Sequence, residues 1–150
     1  MHHVRVGRGR PLLLLHGLGG SWRSWSTILD ALAGAREVVV PDLRSARPWA
    51  LPADVTLTEM RTFAAGPSFI LPLLRSLVHG PAQAGAPAGS TPGPITIGWG
   101  RHDRVCLPRQ APRAMARFPG ARLHWFERSG HFSQWDTPEE TVEFILRSTG

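Results

Sequence analysis

Apolar positions along this chain fall into short clusters, and their spacing switches between strand and helix periods. Val4 and Val6 alternate with polar neighbours and stop at Gly7-Arg8-Gly9, which predicts a short first strand and a turn. Residues 12–15 are consecutive leucines after Pro11, halted by His16-Gly17. Such a run predicts a strand buried on both faces, as in a parallel sheet. Gly17, Gly19 and Gly20 then form a tight loop. Trp22, Trp25, Ile28, Leu29 and Leu32 follow at helical spacing, with Ser21 in the N-cap position. Residues 37–40, closing at Pro41-Asp42, predict the next buried strand.

The middle of the chain is less regular. Residues 43–52 contain prolines and no period, 56–64 are weakly helical, and 69–78 are apolar with Pro72 near their start. Residues 80–94 are rich in Gly, Pro, Ala and Ser and predict a flexible connection, unusually long for a compact domain. Order returns with a third buried strand over 95–100, a helix over 108–118 and a fourth strand over 123–126. Thr137-Pro138-Glu139-Glu140 combines a threonine cap, a proline at the first helical position and a glutamate completing a capping box. Val142, Ile145 and Leu146 give that last helix its apolar stripe. Alternating strands and helices predict an α/β fold, a small, mostly parallel sheet flanked by helices.

With 150 residues, 42% of them apolar, the chain suits a single soluble domain over 1–150. It has no apolar run of transmembrane length. The first ten residues are polar and basic, and 12–15 are too short for a signal-peptide core, so the expected location is the cytoplasm. A single cysteine, Cys106, excludes an internal disulfide and reads as a small packing residue. The net charge of +6 comes wholly from arginine. Those arginines are scattered, with no interleaved aromatic motif, so no nucleic-acid partner is expected. The histidines at 2, 3, 16, 102 and 124 show no zinc-ligand spacing with Cys106, so no metal and no cofactor are expected.

Three segments carry candidate chemistry: His16-Gly17-Leu18-Gly19-Gly20-Ser21-Trp22, Gly100-Arg101-His102-Asp103-Arg104-Val105, and Ser129-Gly130-His131-Phe132. Each lies where a predicted strand gives way to a loop, the end at which open α/β sheets bind ligands. A glycine loop there can turn backbone N–H groups toward an anion. An aspartate bonded to one imidazole nitrogen fixes the histidine tautomer and stabilises the imidazolium formed on proton abstraction.

Together these segments resemble the α/β-hydrolase superfamily, particularly its small esterase and lipase-like members. The resemblance covers most of 1–42 and 94–150. It implies that the His16, Gly17, Leu18 and Gly19 loop forms an oxyanion and substrate-binding site, with Trp22 beside it and Leu18 N–H as donor. It also implies that Asp103 is the acid and His131 the base of a catalytic triad, in the family's order of acid before histidine. Trp22, Trp25 and Trp135 lie near the site segments, where they would line an acyl pocket or pack the core.

One family element is missing. The nucleophile of these enzymes sits in G-x-S-x-G on a sharp turn between a buried strand and a helix. No such segment lies between Asp42 and Asp103. The pattern implies an internal deletion near 59–60 that removes the nucleophile strand, its helix and the next strand. Full-length members run to about 250 residues. Two serines are candidate substitutes. Ser68, in Gly66-Pro67-Ser68-Phe69-Ile70, precedes Asp103 and His131 in the correct order, but Ile70 replaces the second glycine and a helix cap or turn role competes. Ser21 sits between a strand and a helix beside the glycine loop, with helix capping as its competing role.

The implied function is hydrolysis of a small-molecule carboxylic ester by a Ser-Asp-His mechanism. The alternative is a catalytically inactive, truncated α/β-hydrolase that binds a small apolar ligand. Removing two central strands leaves the 95–100 strand without its usual neighbour. An open strand edge is a template for association, so a homodimer or strand-swapped assembly is expected.

Overall fold

The computed structural model describes residues 2–17, 20–42 and 93–150. Strands β1 (His3–Gly7), β2 (Pro11–Leu13) and β3 (Glu37–Pro41) form a sheet in the order β1-β3-β2. β1 is antiparallel to β3, with Val4 opposite Val40 and Val6 opposite Val38. β2 is parallel to β3, with Leu12 opposite Val38. The Leu14 N–H extends that ladder to the Val39 carbonyl at 3.0 Å. A second sheet pairs β4 (Thr96–Gly100) with β5 (Arg122–Phe126) in parallel.

Parallel neighbours need a crossover. Helix α1 (Leu29–Ala33) joins β2 to β3, and α2 (Ala111–Arg117) joins β4 to β5. Two further helices, α3 (Ser133–Asp136) and α4 (Pro138–Ser148), follow β5. The result is the α/β layering that the hydrophobic pattern predicts, divided among the described residues into one mixed and one parallel sheet. The junction near 59–60 and nearly all of the connection over 80–94 lie outside the described residues.

The core forms where two periods meet. Leu12, Leu14, Val38 and Val40 project from the first sheet onto Ile28, Leu29 and Leu32, and Val142, Ile145 and Leu146 of α4 close the cluster. Full burial of such side chains contributes about 1.5–3 kcal/mol each.

Several expectations need correction. Leu13 and Leu15 are 59% and 53% exposed, because a period of two sends them away from the face that α1 and α4 cover. Residues 12–15 are thus buried on one face only. β4 is also less buried than expected: Gly98 is exposed and Gly100 is the buried member. The amphipathic stretch after Ser21 is split into a 3-10 turn at Trp22–Trp25 and then α1. There the Ser24 side chain accepts from Ser21 N–H, and Ile28 N–H reaches Trp25 carbonyl, three residues back.

The predicted capping box at Thr137 does not form. Ser129 is fully buried, and its hydroxyl needs a partner. Thr137 Oγ1 supplies one at 2.9 Å, while Glu140 turns to His124 Nε2 at 2.9 Å.

Candidate active site

Parallel pairing brings the C-terminal ends of β4 and β5 to the same edge, so the loops that follow them are neighbours. They are fastened together by backbone bonds from Arg101 N–H to Phe126 carbonyl (3.0 Å) and from His102 N–H to Ser129 carbonyl (2.9 Å). Gly100 permits this approach. A Cβ there would lie 2.0 Å from the Gly130 carbonyl oxygen and 2.7 Å from that of Ser129. Outside the junction, the Arg101 guanidinium lies 3.9 Å over the Trp125 ring and bonds both Glu127 carboxylate oxygens. That hydrogen bonding holds the Glu127 carboxyl below its ordinary pKa.

Asp103 is buried, and its carboxylate is fully engaged. Oδ1 accepts the N–H groups of Val105 and Cys106 at 2.8 and 2.9 Å. Oδ2 meets His131 Nδ1 at 2.9 Å. The aspartate side chain is 6% exposed and the histidine 35%, so a fixed, buried acceptor orients a ring that solvent and small molecules reach. Both line a cavity of about 250 Å³, together with Cys106, Ser133, Trp99 and Phe126. Cys106 is exposed, yet partial desolvation where it meets the cavity wall, and then the Asp103 charge, push its thiol pKa up.

The histidine loop is braced from its far side. Gly130 N–H donates to Asp136 Oδ2 at 2.8 Å. The Gln134 amide and the Trp135 indole N–H both donate to the Ser24 carbonyl at 3.2 Å, and the Thr27 hydroxyl bonds the Gln134 carbonyl. These contacts tie α3 to the turn that follows the glycine loop.

In the glycine loop, His16 is buried with Nδ1 2.8 Å from the Gly17 carbonyl oxygen. Gly20 N–H returns to the Gly17 carbonyl at 3.2 Å. A Cβ at Gly20 would come within 2.8 Å of Ser24 Oγ. The Ser21 hydroxyl is used as a cap, accepting from Arg23 N–H at 3.2 Å. The Trp22 N–H donates to Asp42 Oδ1 at 2.7 Å, and the other Asp42 oxygen pairs with His2 Nδ1 at 3.0 Å. Leu18, Gly19 and Ser68 lie outside the described residues.

Of the sequence-derived candidates, Asp103 and His131 are in direct contact. Neither Ser21 nor Trp22 lines the cavity that this pair faces. Trp22 and Trp25 pack instead against the core cluster. Four contributors were not read from the sequence: Gly100 as the close-approach point, Asp42 as the anchor of the turn after the glycine loop, and Ser133 and Cys106 on the cavity wall. Cys106 is exposed and is not a packing residue. Its three-residue spacing from Asp103 was the available signal, since an aspartate commonly accepts backbone N–H groups two and three positions on.

No family model matches the chain. It is 50% identical over 44 residues to a soluble epoxide hydrolase from Corynebacterium sp. (strain C12), a match covering 29% of this chain and 15% of that protein. It therefore spans well under two thirds of that relative's length. Among solved structures, it resembles a thermophilic esterase from Thermogutta terrifontis with a TM-score of 0.67 and 14% identity, over 97% of this chain and 91% of that one. It also resembles an α/β hydrolase enzyme from the metagenome of Mar Chica lagoon sediments, Morocco, with a TM-score of 0.63 and 17% identity, over 97% and 92% of the two chains.

The chain shares the fold of these hydrolase structures, the α/β-hydrolase fold. Within that fold, β4 and β5 with their loops hold the acid–histidine pair, and β2 leads into the glycine loop. Among the described residues, no helix is long and apolar enough to cross a membrane.

Proposed function

We propose that the protein is a carboxylic ester hydrolase in which His131 is the general base and Asp103 orients it. The observation that carries this reading is the 2.9 Å bond between Asp103 Oδ2 and His131 Nδ1 at the cavity wall. With the carboxylate ionised, the shared proton resides on Nδ1 and Nε2 keeps a lone pair for proton abstraction. The two N–H groups on Asp103 Oδ1 hold the acid in place while the imidazole gains and loses charge.

In this reaction a serine hydroxyl attacks the ester carbonyl carbon and its proton passes to His131. Collapse of the tetrahedral adduct expels the alcohol, which takes that proton. Water then attacks the acyl-enzyme, again giving a proton to His131, and collapse releases the carboxylic acid and restores the serine. Leu18 N–H is the oxyanion donor, a contribution of about 3 kcal/mol. The candidate nucleophiles are Ser21, which would exchange its cap bond for this role, and Ser68. Likeness to an esterase supports an ester substrate. The epoxide hydrolase relative makes epoxides the next class to assay. A homodimer or strand-swapped assembly goes with this reading, supported by the exposed Leu13 and Leu15 beside β3. A monomer mass by light scattering removes that part.

One observation favours a second reading, an inactive relative that binds a small apolar ligand. The Ser21 hydroxyl is committed to its cap, and among the described residues the serine lining the cavity is Ser133. Hydrolysis of short-chain nitrophenyl esters separates the two readings. Under the first, His131→Ala lowers turnover roughly 10²–10⁴-fold. Saturable ester binding by wild type without turnover supports the second.

A further inference from the structure

The acid–histidine pair has a third neighbour with different chemistry. Cys106 is an exposed thiol on the wall of the same cavity. One donor atom from each of Asp103, Cys106 and His131 lies within 4.8 Å of the other two.

We infer that these three side chains form a binding site for a thiophilic divalent cation of the zinc class. A tetrahedral zinc ion bonds sulfur at about 2.3 Å and imidazole nitrogen at about 2.0–2.1 Å, which sets its ligand atoms roughly 3.5 Å apart. To meet one ion the Asp103–His131 pair, now 2.9 Å apart, opens by about 0.6 Å, and the Cys106 sulfur closes from within 4.8 Å of the other two. Cys106 and His131 have the freedom to do so, since both are exposed at the cavity, while buried Asp103 is pinned through Oδ1 and serves as the fixed point. One oxygen, one nitrogen and one sulfur match a borderline-soft ion and not magnesium or calcium, which select oxygen ligands. Three protein ligands leave a fourth position for water.

Binding requires a thiolate and a neutral imidazole, so it releases protons and weakens as pH falls. An ion held by His131 and Asp103 competes with the proton that the pair would otherwise handle. Cation binding and general-base action then exclude each other. That consequence for turnover rests on the proposed ester hydrolysis; the cation site itself does not.

The test is titration of the chelator-stripped protein with Co²⁺ at neutral pH, followed by absorption. The site predicts one equivalent of tight binding with a thiolate-to-cobalt charge-transfer band, displaced by Zn²⁺. Cys106→Ser abolishes the band, and Asp103→Asn, which removes a charged ligand, weakens binding. Because the sequence contains one cysteine, alkylation by iodoacetamide reports on Cys106 alone, and saturating Zn²⁺ protects it. A cobalt spectrum without a sulfur band, a spectrum unchanged by Cys106→Ser, or alkylation indifferent to Zn²⁺ overturns the site. Ester turnover is measured in parallel on metal-free protein. Zn²⁺ that binds and inhibits supports both proposals, whereas Zn²⁺ bound to a protein with no turnover supports the site and removes the hydrolase reading.

Discussion

Gly100→Ala tests whether the two site loops depend on backbone contact. The added Cβ would lie 2.0 Å from Gly130 O, 2.7 Å from Ser129 O and 2.9 Å from Gly130 C. All three are backbone atoms, so no side-chain rotation relieves the clash. Real Cβ atoms essentially never come within 3.0 Å of such neighbours, so the loops must part by about 1 Å. Overpacking of this kind costs about 1–3 kcal/mol. For a chain of this size that lowers Tm by about 2–4 °C per kcal/mol. The same movement lengthens the 2.9 Å bond between Asp103 and His131 toward about 3.9 Å, beyond hydrogen-bond range. Thermal unfolding followed by circular dichroism reads the first effect. The imidazole Nδ1–H resonance of ¹⁵N-histidine-labelled protein reads the second, because it broadens or disappears once the carboxylate withdraws. A variant with unchanged Tm and an unchanged resonance would refute the reasoning.

Three further outcomes follow from the geometry. The Cys106 thiol pKa is raised by partial desolvation at the cavity wall first and by the Asp103 charge second, so its alkylation rate climbs with pH to a midpoint above that of free cysteine. Asp103→Asn removes the charge and keeps an acceptor oxygen, which moves the midpoint down; a wild-type midpoint at or below that of free cysteine contradicts this account. Leu32 is fully buried where α1 meets the sheet, so Leu32→Ala costs about 2–5 kcal/mol in urea unfolding. Glu127 has a pKa depressed by Arg101, so the stability it contributes is present above its ordinary value and fades as pH falls through the depressed one. Glu127→Gln reduces the acid-side loss of Tm, and unchanged acid sensitivity tells against the pair.

The periods of two and three-to-four located the five strands among the described residues because they record which face is covered. What they could not record is coverage by elements distant in sequence. The leucines at 13 and 15 look like their neighbours at 12 and 14, yet only the latter meet α1 and α4. The Thr137 capping box is a local rule that lost to a non-local demand, the buried Ser129 hydroxyl. At the site, Asp103 and His131 were legible as a pair because each follows a strand, and parallel strands deliver their ends to one edge. Cys106 was misread because its proximity to His131 arises from an Asx-type turn whose direction a residue list does not encode. Gly100 looked like an ordinary strand-ending glycine, and its necessity emerges only from the Gly130 backbone beside it.

The most direct test of the central claim is labelling of the folded protein with a fluorophosphonate probe, followed by peptide mapping, in wild type and His131→Ala. The account predicts one labelled serine in wild type and its loss in the variant, with folding of both verified by circular dichroism. Absence of labelling in folded wild type, or labelling that survives His131→Ala, would contradict a serine activated by the Asp103–His131 pair.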